Sequence, residues 1–232
     1  MKIAIMQPYT FPYIGYFQLI NAVDKFVFLD NVNFIKKGWV NRNRIIVNSN
    51  EYFFTIPCKN VSQNKLICET IIDWESGFFE KFFKTLQYSY KHSPYFVKVF
   101  EVINKIFEEK PATISELAIS SITEFCQYIK LEREFKIASE QTNYRTDLKG
   151  ADRLIDIAKK ENCCTYINAI GGINLYSKEY FEKESVKLYF IKTNLIENFD
   201  QNRYISFYSI IDLAMNNSPQ RIASYLEQYE LI

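Results

Sequence analysis

Lys36, Lys37, Arg42 and Arg44 crowd into the segment 36–44 with no acid among them, and Asn41 and Asn43 flank Arg42. Guanidinium and ammonium groups beside amides suit recognition of a phosphate or carboxylate, because arginine offers a two-pronged fork and lysine a point charge. Trp39 in their midst adds a ring face that can stack on a base or a sugar. A solvated basic loop is the competing reading. A second set lies at the start of the chain, where Gln7 ends an apolar run and Tyr13 and Tyr16 follow in a stretch stiffened by Pro8 and Pro12. Asp30 ends a second apolar run, where a carboxylate could orient a hydroxyl, hold Mg²⁺, act as a base, or merely cap a turn. A third set, Asn168, Gly171 and Gly172, permits a tight turn and close backbone approach to a ligand, and Lys149 and Arg153 stand one unit earlier.

These residues need elements that carry them to one rim. Residues 2–6 read as a buried strand, Gly15 to Ala22 as a short helix, and residues 25–29 as a second strand, which together make a compact βαβ unit. Ile45–Val47 and Tyr52–Ile56, with Asn48–Asn50 between them, read as a hairpin. Helical spacing runs through 75–90, 95–109 and 113–128, and Phe135–Ile137 reads as a short strand. A second α/β run follows: a helix over 151–160, a strand over 164–168, a short helix, a strand over 187–191, and closing helices near 208–215 and 219–226. The expected architecture is a single α/β domain over 1–232, with a mostly parallel, Rossmann-like sheet and a helical insertion at about 75–130. Open sheets of this kind bind ligands outside the carboxyl ends of their strands, which is where Gln7, Asp30 and Asn168 fall.

Bulk composition narrows the function further. A net charge of +1 supplies no global field for nucleic acid, so a dedicated nucleic-acid binder is disfavoured. The odd count of five cysteines, with no CxxC spacing, reads as reduced thiols in a cytoplasmic protein. The single histidine, His92, poorly supplies a metal site or a Ser-His-Asp set. No apolar run approaches a membrane span, and the start lacks the features of a leader. The aromatic share of 17% points to a large core and to aromatic-lined clefts.

Taken together, Met6–Asp24 (MQPYTFPYIGYFQLINAVD), Lys36–Arg44 (KKGWVNRNR), Gln63–Lys65, Leu148–Arg153 (LKGADR) and Tyr166–Gly172 (YINAIGG) resemble the WbqC-like family. That resemblance implies a role in bacterial O-antigen and other surface-polysaccharide synthesis. Pro12–Ile20 also resembles the loop and helix of nucleotidylyltransferases, with Tyr16 standing where those enzymes place a histidine.

The expected activity is N-acylation or aminoacylation of a nucleotide-linked amino sugar by a small acyl or aminoacyl donor. Asp30 would be the base, and Lys36, Arg42 and Arg44 would hold the phosphates, with Lys37, Lys149 and Arg153 as further cations. Trp39, Tyr13 and Tyr16 would stack on rings. Gln7, Asn41, Asn43 and Asn168 would take hydroxyls, and Gly171 and Gly172 would let the ligand approach. The other reading is a non-catalytic nucleotide-sugar-binding protein of the same pathway. The residues name no cofactor and no oligomeric state.

Overall fold

Strand β1 (Lys2–Met6) is the apolar run that opens the chain, and it lies in the middle of the sheet. The computed structural model describes residues 1–194 and 207–232, with two short strands between them. From β1 the chain passes through α1 (Ile14–Asn21) to β2 (Lys25–Phe28), the hairpin β3 (Arg42–Val47) and β4 (Asn50–Thr55), and helices α2 (Phe78–Tyr90), α3 (Phe96–Glu108) and α4 (Ile114–Tyr128). Strand β5 (Glu134–Ile137), helix α5 (Gly150–Lys160), β6 (Thr165–Ala169), α6 (Lys178–Lys183) and β7 (Lys187–Thr193) follow. The strands β8 (Glu197–Asn198) and β9 (Arg203–Tyr204) pair with each other. Helices α7 (Ile210–Asn216) and α8 (Pro219–Tyr225) and strand β10 (Tyr229–Leu231) end the chain.

The main sheet has the order β10-β7-β6-β1-β2-β5, with five parallel strands and β10 antiparallel at one edge. Numbered by chain position alone, the parallel strands run 3-2-1-4-5, the doubly wound order. Alternation of side chains divides the core into two layers. Ile3, Ile5 and Val27 face α5 and α6, where Leu154, Ile157 and Phe181 meet them. Ala4, Phe26 and Phe28 face α1 and the inserted region, packing with Phe17, Ile20 and the apolar faces of α2 to α4. At the amino ends of the strands, buried Glu161 accepts from the Tyr144 hydroxyl at 2.7 Å and pairs with Lys25 and Lys136, each at 3.0 Å. Burial alone would raise that carboxyl; the three donors outweigh it and hold the carboxyl below its ordinary value.

Two differences from the sequence reading matter for the site. Arg42 and Arg44 belong to β3 and not to a loop, because the strand begins three residues before the β-branched run. Alternation then turns Asn43 and Ile45 inward while Arg42 and Arg44 stay half-exposed. The region inserted between β2 and β5 also begins with this hairpin, ahead of the three helices. Strand β10 was not anticipated, since Tyr229–Leu231 is too short to show a period.

Candidate functional site

The doubly wound order reverses at β1, so the crevice between the carboxyl ends of β1 and β6 is where the fold can admit a ligand. The loop leaving β1 is held rigidly there. Phe11 is fully buried with φ of 49°, a left-handed backbone that a bulky residue adopts only when its surroundings impose it. Its ring packs on Phe54, Phe107 and Phe125, from the hairpin, α3 and α4. Asn43 on β3 donates to the Thr10 and Phe11 carbonyls at 3.1 and 2.6 Å, and the Ser209 hydroxyl donates to the Phe11 carbonyl at 2.9 Å. Tyr16 donates to the Gln7 carbonyl at 2.9 Å, tying α1 back to the end of β1.

The crevice opens as a cleft of two lobes. The larger, about 490 Å³, is bordered by Gln7, Tyr9 and Tyr13 from the first loop, Gly15 and Tyr16 from α1, and Trp39. Asn168 to Gly172, Leu175 and Tyr176 close its other side. The smaller, about 210 Å³, shares Tyr9, Tyr13 and Trp39 with it and adds Asn43, Arg44 and Phe207. A wider hollow of about 650 Å³ lies among Lys2, Asp24 and Glu134, at the amino ends of the strands, the wrong end for a ligand in this fold.

The larger lobe sets a few polar groups in a mostly apolar wall and carries no charge: among the described residues, no Asp, Glu, Lys, Arg or His lines it. The Gln7 amide has no partner among the described residues. Asn168 accepts from the Ala169 N–H at 2.8 Å through Oδ1, and its Nδ2 has no acceptor among the described residues. Burial pushes the phenol pKa values of Tyr9, Tyr13 and Tyr176 up, so these hydroxyls remain neutral donors and acceptors. At the start of α1, no carbonyl or side chain of the described residues accepts from the Ile14 and Gly15 N–H groups, the usual orphans of a first turn. Gly15 is required by crowding: a Cβ there would collide with the Tyr13 ring and the Thr193 hydroxyl.

The structure therefore brings together Gln7, Tyr13, Tyr16, Trp39, Asn168, Gly171 and Gly172 in the larger lobe, with Asn43 and Arg44 in the smaller. The other expected site residues do not line the cleft. Asp30 is 1% exposed and accepts from the Ser115 hydroxyl at 3.0 Å, the Ser139 N–H at 2.9 Å and the Ser139 hydroxyl at 2.7 Å. Its carboxylate thus ties α4 to the turn after β5, on the side away from β6, and is not placed to serve as a base for this cleft. Asn41 donates to the Ile56 carbonyl at 2.8 Å inside the hairpin. Arg42 donates to the Lys37 carbonyl at 2.5 Å and lies over Trp39 and Phe53, which buttresses the tryptophan from behind. Arg153 is buried and donates to the Asn31 side chain. Lys36, Lys37 and Lys149 are exposed, the first two on the turn that carries Trp39. Sequence reasoning missed Tyr9, Tyr176, Leu175 and Phe207 as cleft residues. Tyr9 stood within the recognised aromatic stretch, whereas the other three sit in irregular chain with no spacing signal.

Gly172 gives a direct test of the lining. A Cβ at this position would collide with the Asn168 amide nitrogen. Gly172→Ala is expected to cost about 1 kcal/mol of stability, because only the end of a flexible side chain must move. The displaced amide should still weaken ligand binding about tenfold, the loss of one to two hydrogen bonds. Denaturant melts alongside ligand titrations check both; unaltered binding would remove Asn168 from the site.

Among proteins with curated records, the uncharacterized protein Rv1507c of Mycobacterium tuberculosis (strain ATCC 25618 / H37Rv) is 24% identical over 219 residues, covering 93% of each chain. No solved structure gives a significant match. The profile of the WbqC-like protein family matches residues 7–224, a span that takes in the first loop, the cationic hairpin and the strand–turn at Asn168–Gly172. The chain belongs to the WbqC-like protein family.

Proposed function

We propose that the larger lobe of the cleft binds a nucleotide-linked sugar and that the protein works in bacterial surface-polysaccharide (O-antigen) synthesis as a transferase, placing an acyl or aminoacyl group on an amino sugar. The uncharged lining of the larger lobe carries this reading. The Gln7 amide, the Asn168 Nδ2 group and neutral phenols suit sugar hydroxyls, and the faces of Trp39 and the tyrosines suit the apolar faces of rings. The diphosphate would meet the Ile14 and Gly15 N–H groups at the start of α1, which have no acceptor among the described residues. With no carboxylate or imidazole among the described residues of the lobe, transfer would rest on positioning: a neutral sugar amine held against an activated acyl carbon forms the C–N bond as the leaving group departs, and its proton passes to water.

The same uncharged lining favours a second reading, a nucleotide-sugar-binding protein that serves another enzyme of the pathway. Calorimetric titration with a panel of nucleotide-linked amino sugars, followed by incubation with acyl and aminoacyl donors and mass spectrometry, separates the two. Binding with an N-acylated product supports the transferase, and binding without product supports the accessory role. Failure of every nucleotide-linked sugar to bind would dispose of both.

A further inference from the structure

Of the four cations in segment 36–44, Arg44 alone lines the cleft, and its guanidinium is held in place. Its Cζ lies 5.9 Å from the centre of the Trp39 ring and 5.2 Å from that of Tyr208. Nη1 donates to Glu51 at 2.9 Å and Nε to the Phe207 carbonyl at 3.3 Å, while Nη2 has no acceptor among the described residues. Tyr9 and Tyr13 also border this lobe, and their hydroxyls have no partner among the described residues. Asn43 contributes no free group, since its amide is engaged by the Thr10 and Phe11 carbonyls and the Arg44 N–H. The result is a confined lobe with aromatic walls, one fixed cation and two phenols. It has less than half the volume of its neighbour, about 210 against 490 Å³, too little for a nucleotide-linked sugar that would itself fill the larger one.

We propose that the smaller lobe is a separate binding site for a small monocarboxylate, gripped by Arg44 Nη2 and the Tyr9 and Tyr13 hydroxyls with its body against Trp39 and Phe207. A guanidinium with one edge already fixed loses little freedom on taking a carboxylate. Glu51 competes for the same cation from the solvent side, and the exposed pair is weak enough to yield part of it. Tyr9, Tyr13 and Trp39 border both lobes, so a carboxylate here lies beside whatever fills the larger one. Its assignment as the acyl or aminoacyl donor site rests on the nucleotide-sugar reading above, whereas the site itself does not.

Calorimetric titration with acetate, glycine and benzoate, against acetamide and benzamide as uncharged counterparts, tests the site. At least one carboxylate should bind while its amide does not. Arg44→Gln should weaken that binding about tenfold or more, the worth of a charge-assisted hydrogen bond. Glu51→Gln, a surface change that keeps an acceptor for Arg44, should tighten it about threefold by removing the rival charge. UDP-glucosamine binding should be unchanged in both variants, which also controls for folding. Carboxylate binding indifferent to Arg44, displacement of the carboxylate by UDP-glucosamine, or no carboxylate binding at all overturns the proposal. Arg44-dependent carboxylate binding with no affinity for any nucleotide-linked sugar upholds the site and overturns the function proposed above.

Discussion

Asp30→Ala is expected to lower the melting temperature by about 5–12 °C while the folded protein keeps its affinity for nucleotide-linked sugar. The carboxylate is buried and accepts three hydrogen bonds, from the Ser115 hydroxyl, the Ser139 hydroxyl and the Ser139 backbone N–H. Alanine removes a buried, charged acceptor from that N–H and both hydroxyls, of which Ser115 is buried and Ser139 exposed, a loss of about 2–4 kcal/mol. Asp30→Asn should cost roughly half as much, because one amide oxygen can still accept from the N–H and serine hydroxyls can turn to accept from the NH₂. The charge on Asp30 also reaches Cys68, whose thiol is pushed up to about 11, chiefly by burial and further by Asp30. Differential scanning calorimetry and ligand titration on both variants check the expectation. A fully stable Asp30→Asn protein that binds substrate and forms no product would return Asp30 to the chemistry.

The strand ends were legible in the sequence because each is marked by a change of chemistry: Met6 gives way to Gln7, and Ala169 leads into Gly171–Gly172. The short apolar runs and the helical-period runs likewise placed β1, α1, β2, α2 to α4, α5 and β6 close to where they lie. The direction in which each polar side chain points was not legible. Asp30 and Gln7 both follow parallel strands, yet Asp30 lies one strand further from β6 and turns toward α4. Among the hairpin cations and amides, strand alternation decides their fates: Asn41 and Asn43 turn inward and become staples, and Arg44 reaches the cleft. A loop reading of the same residues erases that alternation, so all of them look equally available. Tyr176 and Phe207 join the cleft through long-range packing, which leaves no trace in local spacing.

The second large effect concerns Asp212, whose contribution to stability should fall as pH rises from about 4 to 7 in the native protein and should be absent from Asp212→Asn. Asp212 lies in the first turn of α7, buried, with Oδ1 accepting from the Ile46 N–H at 2.8 Å and from the Tyr90 hydroxyl, while Oδ2 is buried without a partner among the described residues. Burial raises its carboxyl to about 7, with the hydrogen bonds from Tyr90 and Ile46 pulling the other way, against an ordinary value of 3.8. Below the ordinary value both folded and unfolded chains hold the proton, and the contribution is fully present. Between that value and about 7 only the folded chain holds it, so stability is lost at about 1.4 kcal/mol per pH unit. Above the folded value both forms are ionised and the loss is complete. The other carboxylates of the chain act on the same titration, so the quantity to measure is the difference between native protein and Asp212→Asn in urea unfolding across this range. The amide mimics the protonated acid at every pH, and the variant should therefore gain relative to the native protein as pH rises. A pH-independent difference would show that Asp212 ionises in the folded chain as it does in water. The consequence reaches the cleft, because the start of α7 is bonded to its walls: the Ser209 N–H donates to the Arg44 carbonyl at 3.0 Å and the Ile210 N–H to the Pro12 carbonyl at 2.9 Å. Ionising Asp212 in the folded chain places a buried charge one turn from those contacts, so carboxylate affinity in the smaller lobe should weaken as pH rises through about 7, where the ligand is already fully ionised, and Asp212→Asn should abolish that step.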